Sequence, residues 1–358
     1  MRKELNIFID PNTSKPLNLK IEREKDGRIV SGRLFNKYNE YPIIRGIPRF
    51  VDESFYKEHL ACSKEKQTAV SFGNKWNEPR NQRLGSTKQD IKDWKEQFMA
   101  ILGCKHESQL KNLFKKAKRT LNAGCGVGWS EYLFNYNPET ERHCIDISLA
   151  VEVAYKKTRK FKNVIVSQAS IFELPYPDET FDIIYSLGVI HHTPNPKKAL
   201  QILIKKLAPG GLIGIYIYAK KPILREIADR EIRKITSKMN YGRCMEFSKK
   251  MTKLGSSLNK IKQPLIIDED INYLGIQKGK YSIHRFIYNY FLKCWYNPKQ
   301  DTDYADLINQ DWYHPHYASQ HTREEVISWF KGSGIENLKF IQPKGWEYSG
   351  YFISGRKP

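Results

Sequence analysis

Residues 120–128 read Thr-Leu-Asn-Ala-Gly-Cys-Gly-Val-Gly, an apolar strand end that runs into alternate glycines at 124, 126 and 128. Few local patterns restrict a fold as tightly. Alternate glycines turn a strand sharply into a helix and leave backbone amides with no Cβ in front of them, the build of the first turn in an open parallel sheet. The next apolar run closes at His143-Cys144-Ile145-Asp146. A carboxylate about twenty residues past such a turn, at the tip of the neighbouring strand, is placed to accept both hydroxyls of a ribose. The dinucleotide fingerprint needs G-x-G-x-x-G, whereas this chain has G-x-G-x-G followed by Trp129. A nucleoside is therefore implied, and a pyrophosphate is not.

The surrounding periodicity agrees. Strand-like runs at 119–123, 142–146, 163–166, 181–186 and 212–218 are separated by segments long enough for crossover helices, the alternation of a parallel sheet. Asn195 can cap and Pro196 open a helix with Leu200, Leu203, Ile204 and Leu207 on one face, stopped by Pro209-Gly210-Gly211. Thr322-Arg323-Glu324-Glu325 is a capping-box signature for a helix with Val326, Ile327 and Phe330 on its apolar face, ending at Gly332 and Gly334. Residues 338–341 and 350–354 then alternate around a polar turn.

The longer motifs carry a resemblance. Residues 168–184, Gln-Ala-Ser-Ile-Phe-Glu-Leu-Pro-Tyr-Pro-Asp-Glu-Thr-Phe-Asp-Ile-Ile, residues 186–192, Ser-Leu-Gly-Val-Ile-His-His, and Ala208-Pro209-Gly210-Gly211 follow the glycine turn in the order expected of class I S-adenosylmethionine-dependent methyltransferases of the type 11-like kind. The resemblance covers 118–218. It implies an α/β fold with a Rossmann-like seven-stranded sheet, completed by the antiparallel pair at the C-terminus, and S-adenosyl-L-methionine as cofactor. Gly124, Gly126 and Gly128, with Ala123 and Cys125 between and before them, would line its methionine part; Asp146 and Ile147 would meet the ribose. Ser186 and Leu187 would form the floor, and Ser170 with the amide of Ile171 would meet the adenine. Ser170 departs from the family, which often has Asp there; so does Asn122, where an acid is common.

Outside that core, residues 41–50 resemble the end of a zinc-ribbon-like module that precedes this domain in relatives. The stretch 9–38 has no cysteine, so a small β-rich module over 1–60 is expected to hold no metal. Residues 61–117 are expected to be a helical segment covering the cofactor, with Phe72 and Trp76 in a passage resembling the one that folds over it. The methyltransferase core would span 118–218 and 322–358, and 219–321 would be a helical, basic and aromatic lid insertion, too long for a structureless loop. Between 220 and 262 it holds thirteen Lys or Arg against four acids, and Ile283, Phe286, Ile287, Tyr290 and Phe291 follow helical spacing.

Methyl transfer needs alignment and, for a hydroxyl acceptor, a base. His191 and His192 at the fourth strand, and Tyr313 and His316 from the insertion, are the candidates. The formal charge of +21 and pI near 9.5 favour an anionic partner, whether a small-molecule substrate, nucleic acid or a peripheral membrane surface. Six scattered cysteines, and the lack of a signal peptide or long apolar run, lead us to expect a cytoplasmic protein. The resemblance to bacterial biosynthetic enzymes favours a small-molecule or sugar- or lipid-linked intermediate, methylated at oxygen. Two alternatives stand beside it. An RNA methyltransferase is compatible with the charge, though no Asn/Asp-Pro-Pro-aromatic tetrapeptide follows the fourth strand; a non-catalytic cofactor-binding protein is compatible with Ser170 and Asn122.

Overall fold

A computed structural model describes residues 7–56, 63–78, 87–343 and 349–358. The chain divides into two compact units, one of residues 1–218 with 321–358 and one of residues 219–320.

The first unit is built on a seven-stranded sheet. Its strands are β5 (Arg119–Ala123), β6 (Glu141–Asp146), β7 (Val164–Gln168), β8 (Phe181–Leu187), β9 (Leu207–Tyr218), β12 (Glu336–Phe340) and β13 (Gly350–Arg356), in the spatial order β12-β13-β9-β8-β5-β6-β7. The five central strands pair in parallel, and β13 runs antiparallel to both β9 and β12. The order reverses at β5, so the crevice of a doubly wound sheet opens at the carboxyl end of that strand. Both faces are covered, which is why strands read as nearly continuous apolar runs: in β9, Ile213, Ile215 and Ile217 enter one core cluster while Leu212 and Tyr216 enter another.

Helix α6 (Pro196–Lys205) begins as its sequence dictates, with the Asn195 side chain accepting from the Lys198 amide at 3.0 Å and proline in the first turn. It ends earlier than the periodicity suggested. Leu207 is not on its apolar face but opens β9, paired with Phe181, so the Pro209-Gly210-Gly211 stretch lies inside the strand at a register shift. At α11 (Arg323–Lys331), Thr322 accepts from the Glu325 amide at 3.1 Å, while the Glu325 carboxylate pairs with His321 Nδ1 at 3.1 Å.

Preceding the large sheet, strands β1 (Asn18–Lys25), β2 (Arg28–Phe35), β3 (Glu40–Ile44) and β4 (Ile47–Pro48) form an antiparallel meander. It is tied to β7 through Arg49, which bridges Gln168 in parallel register and donates to its Oε1 at 2.8 Å. Phe8, Leu34, Ile43 and Phe50 join one apolar core with Ile145, Ile165 and Ile184 of the large sheet. No cluster of three or more metal-ligating side chains cross-links this module among the described residues. Asp10, wholly buried, takes that place: its carboxylate accepts from the Asn12 amide, Thr13 Oγ1, Asn36 Nδ2, Asn39 Nδ2 and Tyr41 Oη at 2.7–3.1 Å, joining two turns and β3.

The second unit contains α7 (Ile223–Thr236), α8 (Tyr241–Lys260), α9 (Ile283–Tyr290) and α10 (Thr302–Tyr313), with a short hairpin of β10 (Leu265–Ile267) and β11 (Gly279–Tyr281). Helix α9 buries His284, Tyr288, Asn289 and Tyr290 rather than the Ile283, Phe286, Ile287 face. No described helix is long and apolar enough to cross a membrane.

Candidate functional site

The site is assembled from the carboxyl ends of β5, β6, β7 and β8 and from α1 (Lys64–Asn77). At the end of β5 the backbone turns so sharply that the amides of Gly124 and Cys125 both donate to Ile145 O, each at 2.8 Å. Gly124, Gly126 and Gly128 have φ of +83°, +52° and +70°, a region that side-chain-bearing residues enter at a cost. Space forbids them as well. A Cβ on Gly124 would meet the Val189 side chain at 2.3 Å, and one on Gly126 would stand 3.1 Å from the Trp76 indole.

Asp146 is fixed against this turn. Its Oδ2 accepts from the Gly126 amide at 2.9 Å, and its Oδ1 accepts from the Ser148 amide at 2.9 Å and hydroxyl at 2.7 Å. Burial raises the carboxyl above its ordinary value, outweighing the lowering by the Ser148 and Gly126 bonds. The side chain is nevertheless only half-buried. A carboxylate has about four acceptor positions and can share them between donors, so capacity remains beyond these three bonds.

Around it the sequence-expected residues converge. Ile147 O accepts from Gln168 Nε2 at 2.8 Å, and the buried Ser186 hydroxyl donates to Ala123 O at 2.8 Å, pinning β8 to β5 beneath the glycine turn. Cys125 is a buried thiol that burial pushes well up, a packing residue rather than a reactive one. Ser170 starts the short 3-10 turn 171–173, accepting from the Phe172 amide at 3.2 Å, and Ile171 is buried. Leu187 ends β8, half-buried. From α1, Trp76 faces the glycine turn and the Phe72 ring meets the His192 ring at 4.8 Å between centroids.

Two acids beside the site, Glu65 and Glu131, were not read from the sequence. Ser170 Oγ donates to Glu65 Oε1 at 3.5 Å, and the Glu65 carboxyl is raised by burial and by the nearby Glu173. The acid missing at 170 thus has a counterpart on α1. Asn122 donates through Nδ2 to both oxygens of the wholly buried Glu131, at 3.2 and 3.1 Å, and to Ser130 Oγ. Arg142 and Tyr185 complete that centre. Negative charge absent at 122 is held one side chain away, on α4 (Trp129–Leu133).

Of the base candidates, His191 and His192 lie together in the first unit, ring centroids 4.3 Å apart, and His191 stacks on Tyr218 at 3.7 Å. Both are buried. Tyr313 and His316 belong to the second unit. The Tyr313 hydroxyl donates to Lys293 O at 2.7 Å and burial pushes its phenol well up. The His316 carbonyl accepts from Arg233 Nη2 at 3.1 Å, and its ring meets Tyr317 edge-on.

These residues fit a nucleoside with a ribose: a bare glycine turn, a half-buried carboxylate with spare acceptor capacity, and an aromatic ring over the turn. Residues 114–274 match the family described as "Methyltransferase domain". The chain is 37% identical over 122 residues to an uncharacterized protein of Synechococcus, covering 33% of this chain and 28% of that one. It is 30% identical to phosphoethanolamine N-methyltransferase 3 of Arabidopsis thaliana, covering 30% of this chain and 22% of that one. It is 27% identical to 27-O-demethylrifamycin SV methyltransferase of Amycolatopsis mediterranei, covering 33% and 45%. The chain therefore spans less than half the length of these relatives. The part of the chain that is similar to a methyltransferase domain is thus residues 114–274, less than half of its length.

Proposed function

We propose that the chain is a methyltransferase that methylates a small molecule, or a sugar- or lipid-linked biosynthetic intermediate, at oxygen. The observation that carries this reading is the Asp146 carboxylate, held by the Gly126 amide at the open end of the glycine turn. When bound, S-adenosylmethionine supplies an electrophilic methyl group on a sulfonium. The protein's part is to bind, align and manage a proton. Asp146 would accept from the ribose hydroxyls, and the Gly126 bond keeps its oxygens in place for them. Glu65, beside Ser170, would offer the adenine amino group the carboxyl that an aspartate gives in relatives. Trp76 closes the turn from the α1 side.

For the proton of a hydroxyl acceptor, His191 and His192 are the proposed bases, since a neutral imidazole accepts near physiological pH. His316 stays a candidate. Tyr313 does not, because its hydroxyl serves the Lys293 carbonyl and its phenol is held protonated. Relatives named for a demethylated rifamycin and for phosphoethanolamine support a small acceptor. The second unit, residues 219–320, is the part proposed to choose it. The test is incubation of metabolite extracts with the enzyme and labelled methyl donor, followed by untargeted mass spectrometry. One labelled product absent from the His192→Ala reaction is expected. Donor binding with no labelled product in any extract would leave a cofactor-binding protein and overturn the enzymatic reading.

A further inference from the structure

The second unit gathers cations around three aromatic rings. Lys221 Nζ, the Arg225 guanidinium and Lys293 Nζ lie 5.7, 5.3 and 4.9 Å from the centroid of one indole, that of Trp312. The Tyr288 ring has Arg225, Lys293 and Arg285 at 5.2, 5.1 and 5.5 Å. Arg285 and Lys293 also reach Trp295, at 5.2 and 5.8 Å. This is no solvated lysine surface, because Arg225 and Lys293 are 2% and 6% exposed.

Among the described residues few carboxylates approach this cluster. Asp229 Oδ2 accepts from Arg225 Nε at 2.7 Å, and half-buried Glu226 accepts the Lys221 amide at 3.1 Å. Lys293 donates to the Tyr288 hydroxyl at 3.2 Å, and neither it nor Arg285 forms a salt bridge with a described carboxylate. The surplus is felt by its neighbours. Burial would raise the Tyr288 phenol, yet Lys293, Arg225 and Arg285 bring it below its usual value. Burial, Arg225 and Lys293 push the Lys221 ammonium well down. Facing rings attracts cations without neutralising them, and a buried charge left uncompensated destabilises a fold.

Beside one acceptor, Asp229 Oδ1, that is buried without a partner, the spare hydrogen-bonding capacity lies in donors. Lys293 has three N–H donors and uses one; the Trp295 Nε1–H is buried with no partner; Arg285 presents a guanidinium. Half-buried Lys221, Arg285 and Trp295 give the cluster a side open to solvent. Donors without acceptors suit an oxyanion, and several cations favour one with two charges. We propose that Lys221, Arg225, Arg285, Lys293 and the Trp295 indole form a binding site for a dianionic oxyanion, the phosphate group of a small molecule. The inference concerns residues 219–320 alone and stands apart from methyl transfer.

Thermal unfolding of the full chain in inorganic phosphate, against chloride and acetate at constant ionic strength, tests it. Phosphate is expected to raise the Tm saturably, and acetate is expected to do so much less. Lys293→Met should unfold at a higher temperature than the wild type without phosphate, having lost a buried surplus charge, and should not respond to phosphate. Arg285→Gln, at a half-buried position that tolerates the change, should bind phosphate on the order of tenfold more weakly. Lys249→Met, on the exposed face of α8, should respond as the wild type does. A wild-type Tm indifferent to phosphate, an equal response to acetate, or equal phosphate responses in wild type, Lys293→Met and Arg285→Gln would each overturn the site.

Discussion

Asp10 in the first unit and Lys293 in the second are both buried ionised groups, and the chain treats them differently. Asp10 is met by five donors from its own module, and those bonds outweigh burial to hold its carboxyl well below the usual range. Lys293 has one hydroxyl and three ring faces. A charge answered from within is a structural cross-link; a charge answered only in part marks where something else binds. Asp146 stands between them, with three donors from the chain and room for more.

The contrast can be broken in order of size. Asp229→Ala removes the partner of the buried Arg225 and adds to the surplus, so unfolding in denaturant should show a loss of about 3–5 kcal/mol. If the loss is under about 1 kcal/mol, the cluster is not desolvated and the comparison fails. Asp10→Ala strands several half-buried donors and should cost about 2–4 kcal/mol. Its pH dependence has a definite sign: the folded carboxyl is depressed, so its contribution is complete above about pH 4, the unfolded value, and fades as pH falls toward the folded value. An acid unfolding curve shared by wild type and Asp10→Asn would contradict this. Asp146→Ala should weaken donor binding by about 1.5–3 kcal/mol in a calorimetric titration, with little change in stability. Glu65→Gln is the smallest, about 1 kcal/mol of donor affinity, and a null result would return the adenine contact to Ser170 alone.

Legibility followed distance along the chain. The glycine turn, Asp146, the Asn195-Pro196 helix start and the runs of the parallel strands are local patterns, and each could be read where it stood. Leu207 was misassigned because its apolar side chain fits the helix period, whereas pairing with Phe181 decides its place. The Ser170–Glu65 contact spans 105 positions, and no local pattern announces it. Asn122 reads as a missing acid until Glu131, nine residues on, is brought beside it. The cation cluster draws on α7, α9, the 293–295 stretch and α10, so the sequence displayed only a basic, aromatic composition.

A crystal of the full chain grown with S-adenosylmethionine locates the nucleoside without reference to any acceptor. The account predicts density across the ends of β5 and β6, with both ribose hydroxyls on Asp146 and the adenine beside Ser170 and Glu65. A donor bound with its ribose away from Asp146, or a crevice that stays empty at saturating donor, would contradict it.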